Sequence, residues 1–345
     1  MKKTNKGVFW GDVVLGVLCA ILALVLIGMI FVTVYANRLL GKINYVPDDS
    51  VSTYSDEQMA TLDTADPLPT DYTGSVQDPT DVTIPEQKPE ILIQGDHLVN
   101  ILLIGQDRRP GEIRSRSDTM IVCTVNKKTN TITLTSFLRD TYVMIPGYKM
   151  ARMNVAYAKG GMPLLKKTFL ENFGIVIDGC FEVDFDGFQS VIDLVGGVDI
   201  ELTAEEAEHL NSVYGFSLKE GMNHLNGREA LGYSRLRKID SDYNRAYRQR
   251  KLLRSIISSS KNLSFSQLTG LLEQALPMLT TDMTQNQISK YALELFPVLV
   301  KAGEAKSLRI PAQNMHEAVY IKGVGEVLVP DMNATWELLQ EKLLS

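Results

Sequence analysis

The sequence predicts an α/β fold: a three-layer α-β-α sandwich around a central mixed sheet, preceded by a single transmembrane helix and a disordered linker. Three observations carry this. Residues 13–36 hold no charge and are almost wholly apolar, long enough as a helix to cross a hydrocarbon core of about 30 Å. Residues 37–96 are dominated by Asp, Thr, Ser and Pro, too poor in large apolar side chains to bury a core of their own. From His97 onward an antiparallel start gives way to alternating strand-like and helix-like periods, the pattern of a mixed sheet between helical layers.

Residues 1–12 form a short tail with Lys2, Lys3 and Lys6, and Arg38 and Lys42 follow the apolar span. Both flanks are basic, so the charge counts alone do not orient the helix. The denser lysines before it, the lack of a later span and the acidic linker after it favour a cytoplasmic N-terminus. The protein is then a single-pass cell-membrane protein whose main domain is extracellular. A cleaved signal peptide is the alternative, disfavoured by the length of the apolar run and by the missing small-residue site after Ala36. Residues 37–96 read as an acidic extracellular tether, extended by self-repulsion, and residues 97–345 as the catalytic domain.

Within that domain the run from Leu98 to Gly105 reads as a buried strand. The stretches 118–126 and 131–138 alternate and are joined by Lys127, Lys128, Thr129 and Asn130, a hairpin pattern. A helix follows, with Leu164, Leu165, Phe169 and Leu170 at helical spacing and Gly174 as its cap. Residues 180–185 read as a strand, 188–197 as a helix stopped by Gly196 and Gly197, and 198–202 as a short strand. Asn226 and Gly227 open a helix running to Arg237, and a long helix spans about Asp242 to Ser258. Amphipathic helices are expected near Phe265–Leu279 and Gln285–Val300. A strand follows at Ser307–Pro311, and a closing helix from Pro330 has Asp331 near its start.

Composition excludes several functions. The net charge is −6 over 345 residues, so a general nucleic-acid binder is excluded. Cys19, Cys123 and Cys180 form no zinc-type spacing, and His97, His209, His224 and His316 form no HExxH. Neither a GxSxG elbow nor a phosphate loop is present. Cys123 and Cys180 lie in apolar strand-like runs and read as packed thiols rather than a disulfide.

Against this acidic background the polar clusters stand out. Asp107, Arg108 and Arg109 follow the first strand; Arg114, Arg116 and Asp118 precede the second; Arg139 and Asp140 follow the third. The densest cluster contains Arg235, Arg237, Lys238, Arg245, Arg248 and Arg250, with Asp240 and Asp242 among them. Guanidinium is planar, permanently charged and donates in pairs, which suits phosphate and pyrophosphate. Asp107 and Asp118 flank one loop, and two carboxylates beside phosphates suit Mg²⁺; the plainer alternative is a turn residue or an arginine partner for each. Arg235 and Arg237, two apart, do not share a helical face, whereas Asp242, Arg245, Arg248 and Gln249 do at spacings of three and four. The plainer alternative there is a solvated helix with local ion pairs.

In order, NILLIGQDRR, RSDTMIV, SFLRDTYVMIPG, RMNVAYAKGG, FEVDFDGFQSVIDLVGGVDI and LNGREALGYSRLRKIDSDYNRAYRQR resemble the LytR-CpsA-Psr family of membrane-anchored bacterial enzymes. The resemblance implies a phosphotransferase. It would move a wall glycopolymer, such as teichoic acid or capsule, from undecaprenyl pyrophosphate to peptidoglycan. A phosphodiester forms and lipid phosphate leaves. It also implies that Asp107 and Asp118 hold Mg²⁺ (or Mn²⁺) and that Arg139, Arg235 and Arg237 clamp the pyrophosphate. Arg245, Arg248 and Gln249 complete the catalytic pocket. Asp242 is the candidate to deprotonate or orient the acceptor hydroxyl. Arg109, Arg116, Asp140, Arg152 and Asn154 are expected to help bind substrate.

The carrier's tail needs an apolar tunnel. Phe181, Val183, Phe185, Phe188, Val191, Ile192 and Leu194 could line it, though most of them read as ordinary core. Tyr142 stands where some relatives carry a further arginine, a contact that Arg108 or Arg114 would have to supply. A lipid-pyrophosphate hydrolase and a non-catalytic polymer-binding scaffold or regulator are the alternative functions.

Overall fold

The computed structural model describes residues 41, 44–47, 75–82, 89–106, 114–236, 242–260 and 274–345. The backbone of Asp242 is described but its side chain is not. The strands are β1 (Asn44–Tyr45), β2 (Val76–Gln77), β3 (Leu98–Gln106), β4 (Ser117–Asn126), β5 (Thr131–Phe137), β6 (Tyr142–Met144) and β7 (Met150–Arg152). They continue with β8 (Gly179–Val183), β9 (Val198–Leu202), β10 (Gly221–Leu225), β11 (Leu279–Thr281), β12 (Lys306–Ile310), β13 (His316–Ile321) and β14 (Gly325–Pro330). The helices are α1 (Asn154–Phe173), α2 (Phe185–Leu194), α3 (Ala204–Tyr214), α4 (Gly227–Ser234), α5 (Asp242–Ser260), α6 (Gln285–Lys301) and α7 (Met332–Leu344).

The central sheet runs β1-β11-β8-β3-β4-β5-β12 and is mixed, as the sequence predicts. The pairs β3–β4 and β4–β5 are antiparallel, whereas β3–β8 and β5–β12 are parallel. The β4–β5 hairpin turns because Asn126 Oδ1 accepts the N–H groups of Lys128 and Thr129 at 3.0 and 3.1 Å, and Asn130 takes a left-handed φ of 53°. Asparagine tolerates that region better than most residues.

Alternation along the strands sends side chains into two cores. On one face Leu102, Ile104, Met120, Val122 and Phe137 pack with Leu165, Phe169 and Phe173 of α1 and with Leu339 and Leu343 of α7. Phe137 meets Phe169 edge-on at 4.7 Å. On the other face Ile121, Val125, Ile132 and Leu134 pack with Leu253 and Ile257 of α5 and with Leu295 and Val298 of α6. The three layers of the sequence prediction are therefore present. Burying each such side chain contributes about 1.5–3 kcal/mol. Gly174 ends α1 at φ 68°, returning its N–H to Leu170 at 3.0 Å. A satellite cluster joins Ile192 of α2, Ile200 of β9, Leu210 of α3, Leu225 of β10 and Tyr233 of α4 to Leu252 of α5.

The folded body begins before His97. Ile93 is 1% exposed in the main core and bridges to Ile175, β2 pairs with β13, and β1 pairs with β11. These parts of the expected tether find partners far along the chain, which composition alone does not reveal. The helix expected near Phe265–Leu279 gives way at Leu279 to β11, a strand between β8 and β1; residues 261–273 lie outside the described residues. The apolar span 13–36 also lies outside them, and no described helix is long and apolar enough to cross a membrane. Cys123 and Cys180 are free thiols. Cys123 is in register with Ile101 and Cys180 with its neighbour Leu102, so the two side chains point to opposite faces of the sheet.

Candidate active site

The satellite cluster and the sheet enclose a cavity of about 560 Å³. Its walls are apolar: Leu103 and Ile121 from the sheet, Phe185, Phe188 and Val191 from α2, Leu231 from α4, and Leu252, Leu253 and Ile256 from α5. Of the apolar residues that the sequence could assign to a tunnel, Phe181, Val183, Phe185, Phe188, Val191 and Ile192 line it; Leu194 does not. The cavity's polar lining includes Asp118, Arg139, Arg235, Arg245 and Gln249, from the start of β4, the residues after β5 and α4, and one face of α5.

Acidic and backbone contacts fix Arg139. Its Nη1 donates to Asp118 Oδ1 at 2.8 Å and its Nε to Asp140 Oδ2 at 3.2 Å. Its carbonyl accepts the N–H of Asn154 at 3.2 Å. Asp140 in turn faces Arg152 Nη1 at 3.6 Å, and Arg152 Nη2 donates to the Val324 carbonyl at 2.7 Å. Asp140 and Arg152, expected among the substrate-binding residues, thus brace Arg139 from behind. Arg245 Nη2 reaches the Asp118 carbonyl at 3.4 Å. The Arg235 guanidinium lies 4.5 Å over the Phe185 ring, joining the apolar wall to the polar end by a cation–π contact. Asn154 is buried, and its Oδ1 has no hydrogen-bond partner among the described residues. Arg116 is half-buried before β4 and is not part of the lining. Asp107, Arg109 and Arg237, and the side chain of Asp242, lie outside what the structure describes.

Arg248 departs from the expectation. Its Nε donates to Glu206 Oε1 at 2.7 Å and its Nη1 to the Leu236 carbonyl at 3.2 Å, with the side chain 3% exposed. The reason is helical geometry. At 3.6 residues per turn, Arg248 lies about 60° to one side of Arg245 and Gln249 about 40° to the other. The spacings of three and four therefore diverge by about 100°, and only Gln249 turns into the cavity with Arg245.

Sequence reasoning missed Glu182 and Asp184, which also line the cavity. Glu182 accepts from Gln106 Nε2 and from the Tyr157 hydroxyl, and Gln106 Oε1 accepts the Ser115 N–H at 3.0 Å. Burial, then the neighbouring Glu182, pushes Tyr157 above the usual phenol range, which keeps its proton available to donate. This network joins the two ends of the loop that carries Asp107. Nothing local marks Glu182, because its partners lie on α1 and β3. Asp184 caps α2, accepting from Gly187 N–H at 2.9 Å; an aspartate directly before a helical pattern was a readable signal.

A magnesium ion would draw on Asp118. Its side chain is 31% exposed at the polar end of the cavity, open enough for a cation that keeps water and binds one or two carboxylates with substrate phosphates. Among the described residues no three His, Cys, Asp or Glu side chains gather as a closed protein cage. Of the two expected ligands the structure describes Asp118, which suits such an open site; Asp107 lies outside the described residues.

Comparison with known proteins agrees with this architecture. The polyisoprenyl-teichoic acid--peptidoglycan teichoic acid transferase TagU of Bacillus anthracis is 39% identical over 197 residues, covering 55% of this chain and 62% of that protein. TagU of Oceanobacillus iheyensis is 38% identical over 195 residues, covering 54% and 58%. The chain thus spans about three fifths of the curated relatives it matches. The crystal structure of B. subtilis TagT superposes with a TM-score of 0.60 at 27% identity, covering 79% of this chain and 100% of that one. YwtF (TagT) with bound octaprenyl pyrophosphate lipid superposes at 0.56 and 25% identity, covering 76% and 96%. The sequence model of the LytR_cpsA_psr family matches residues 70–339, most of the chain, and the protein belongs to the LytR-CpsA-Psr family.

Proposed function

We propose that this protein transfers an anionic wall glycopolymer, of the teichoic-acid or capsule class, from undecaprenyl pyrophosphate to a hydroxyl of peptidoglycan. The observation that carries the reading is one cavity with apolar walls whose polar lining holds Arg139, Arg235, Arg245, Gln249 and Asp118. A polyprenyl chain suits the walls, and a pyrophosphate suits the guanidinium groups. The relatives named as teichoic acid transferases, and the fold relative holding a polyprenyl pyrophosphate, support the same chemistry. The apolar span and its basic flanks fit a membrane anchor that keeps the domain beside its lipid substrate on the outer side.

In this reading the acceptor oxygen attacks the polymer-side phosphorus. The bond from that phosphorus to the bridging oxygen breaks, undecaprenyl phosphate leaves, and the hydroxyl proton passes to Asp242. Arg139, Arg235, Arg237 and Arg245 hold the phosphoryl oxygens and neutralise charge as it develops on the leaving phosphate. Gln249 completes the polar lining beside Arg245. Asp118, with Asp107, would hold Mg²⁺ or Mn²⁺, which when bound supplies charge neutralisation at the pyrophosphate.

The test incubates the full chain in detergent with Mg²⁺, a short lipid-pyrophosphate-linked saccharide and uncrosslinked peptidoglycan oligomers. Mass spectrometry should find a phosphodiester-linked saccharide–glycan adduct that is lost with EDTA and in Asp118→Ala. Released saccharide phosphate without adduct would replace transfer by hydrolysis, and intact bound lipid would replace it by a binding role.

A further inference from the structure

Helix α5 presents a second polar face that the proposed reaction does not use. Its cavity side carries Arg245, Gln249 and Leu252. A different stripe, with Tyr243, Ala246 and Arg250 at spacings of three and four, turns toward β5 and β12. Arg250 Nε donates to Ser307 Oγ of β12 at 2.5 Å, and the Arg309 guanidinium lies 4.2 Å over the Tyr243 ring. The register pairs Ser307 with Leu134 and Arg309 with Ser136. Ser307, Arg309 and Ser136 therefore share the sheet face that α5 covers.

The charges in this place are unusual. Arg250 is 6% exposed, and among the described residues its Nη1 has no hydrogen-bond partner and no carboxylate pairs with it. Arg309, beside it, donates among the described residues only to the Pro311 carbonyl, at 3.2 Å. Ser136 is 2% exposed, and its Oγ also lacks a hydrogen-bond partner among the described residues. Burial, and then the like charge of Arg309, pull the Arg250 guanidinium down to about 10. A buried, unpaired guanidinium is costly unless an anion meets it. Orphaned donors of this kind, set on one sheet face with a second cation and a hydroxyl, have the chemistry of an oxyanion site.

We propose that Arg250, Arg309 and Ser136 form a second oxyanion site, taking a phosphate or carboxylate group carried by one of the two substrates. Ser136 lies on β5, three residues before Arg139 in the turn that follows the strand, a separation of at most about 10 Å along the chain. The site is thus one sugar or so from the cavity's polar end, close enough to hold the next charged group of the polymer or an acidic group of the acceptor. Oxyanion binding stands independently of the transfer reading; the assignment to a substrate rests on it.

The experiment titrates the full chain in detergent with inorganic phosphate by calorimetry at constant ionic strength. Arg309→Gln and Arg250→Met should each bind one phosphate equivalent fewer than the wild type, whereas Arg235→Ala keeps that equivalent. Circular dichroism checks the fold, and Arg309, being half-buried, is the variant that keeps its packing. Equal phosphate stoichiometry and affinity in both variants and the wild type would overturn the site, whether or not the protein transfers polymer. In the transfer assay Arg309→Gln should raise KM about ten-fold for one substrate only, as expected for loss of one charge-assisted contact. A rise for the lipid-linked polymer identifies its phosphate as the ligand, and a rise for the peptidoglycan oligomer identifies the acceptor's carboxylate. Unchanged KM for both in an active enzyme would overturn the substrate assignment.

Discussion

Arg139 and Asp118 are joined across neighbouring strands by a 2.8 Å contact from Nη1 to Oδ1. The carboxylate proposed to hold the metal and a guanidinium proposed to hold the pyrophosphate are thus set against each other by the β4–β5 hairpin. Arg139→Ala should lower kcat/KM for transfer by about 2–4 kcal/mol in transition-state terms, with the circular dichroism spectrum unchanged. Arg139→Lys should recover only part of the loss, because lysine keeps the charge but not the planar fork that engages Asp118 and Asp140 together. Wild-type turnover in a folded Arg139→Ala protein would remove Arg139 from the chemistry.

Arg245 and Arg248, one turn apart on α5, should separate in their effects. Arg248 pairs with Glu206 at 2.7 Å in a site where both side chains are nearly buried. Removing one partner of such a pair leaves an uncompensated charge and costs about 3–5 kcal/mol. Arg248→Ala should therefore melt well below the wild type while the folded fraction keeps its turnover. Arg245→Ala should do the reverse, with thermal unfolding little changed and transfer reduced. If Arg248→Ala abolished transfer at an unchanged melting temperature, its place outside the cavity would be wrong.

This contrast marks where the sequence was legible. Elements written in local signals were readable: Gly174 ends α1, Lys127–Asn130 turns the hairpin, and Asp331 caps α7 through the Ala334 N–H at 3.1 Å. Helix α3 was overlooked although Thr203 and Glu206 form a capping box, because its polar face hides the apolar period. The β13–β14 hairpin is not legible either, nor is β11, of which only Leu279 falls in the expected helix and which its flanking strands β8 and β1 make a strand. At the site, arginine type and spacing located the polar end. Face and partner were not legible, since they depend on where Glu206 and Glu182 arrive from other elements.

Tyr157 and Gln106 meet on Glu182, and Gln106 also holds Ser115, so one buried network spans both ends of the Asp107 loop. Tyr157→Phe leaves Glu182 with one donor fewer in a buried place, costing about 1–3 kcal/mol. Urea unfolding should show the loss as a lower midpoint at an unchanged slope. The loosened loop should also raise the Mg²⁺ concentration needed for half-maximal transfer. A wild-type midpoint in the variant would mean that the hydroxyl is not holding the carboxylate.

The cavity wall offers a test that leaves the polar end untouched. Val191 lies on α2 facing the cavity and is half-buried, so a larger side chain there can extend into open space rather than into packed neighbours. Leu210, fully buried in the satellite cluster, has no such room, and overpacking a core site costs about 1–3 kcal/mol. Val191→Trp should therefore melt close to the wild type, whereas Leu210→Trp should melt lower. If the cavity holds the carrier's tail, native mass spectrometry should find polyprenyl phosphates retained by the wild type and by Leu210→Trp that remains folded, but lost from Val191→Trp. Arg139 and Arg245 are intact in both variants, so the difference isolates the wall. Equal retention in Val191→Trp would mean that the tail binds elsewhere and that the cavity does not set the lipid specificity.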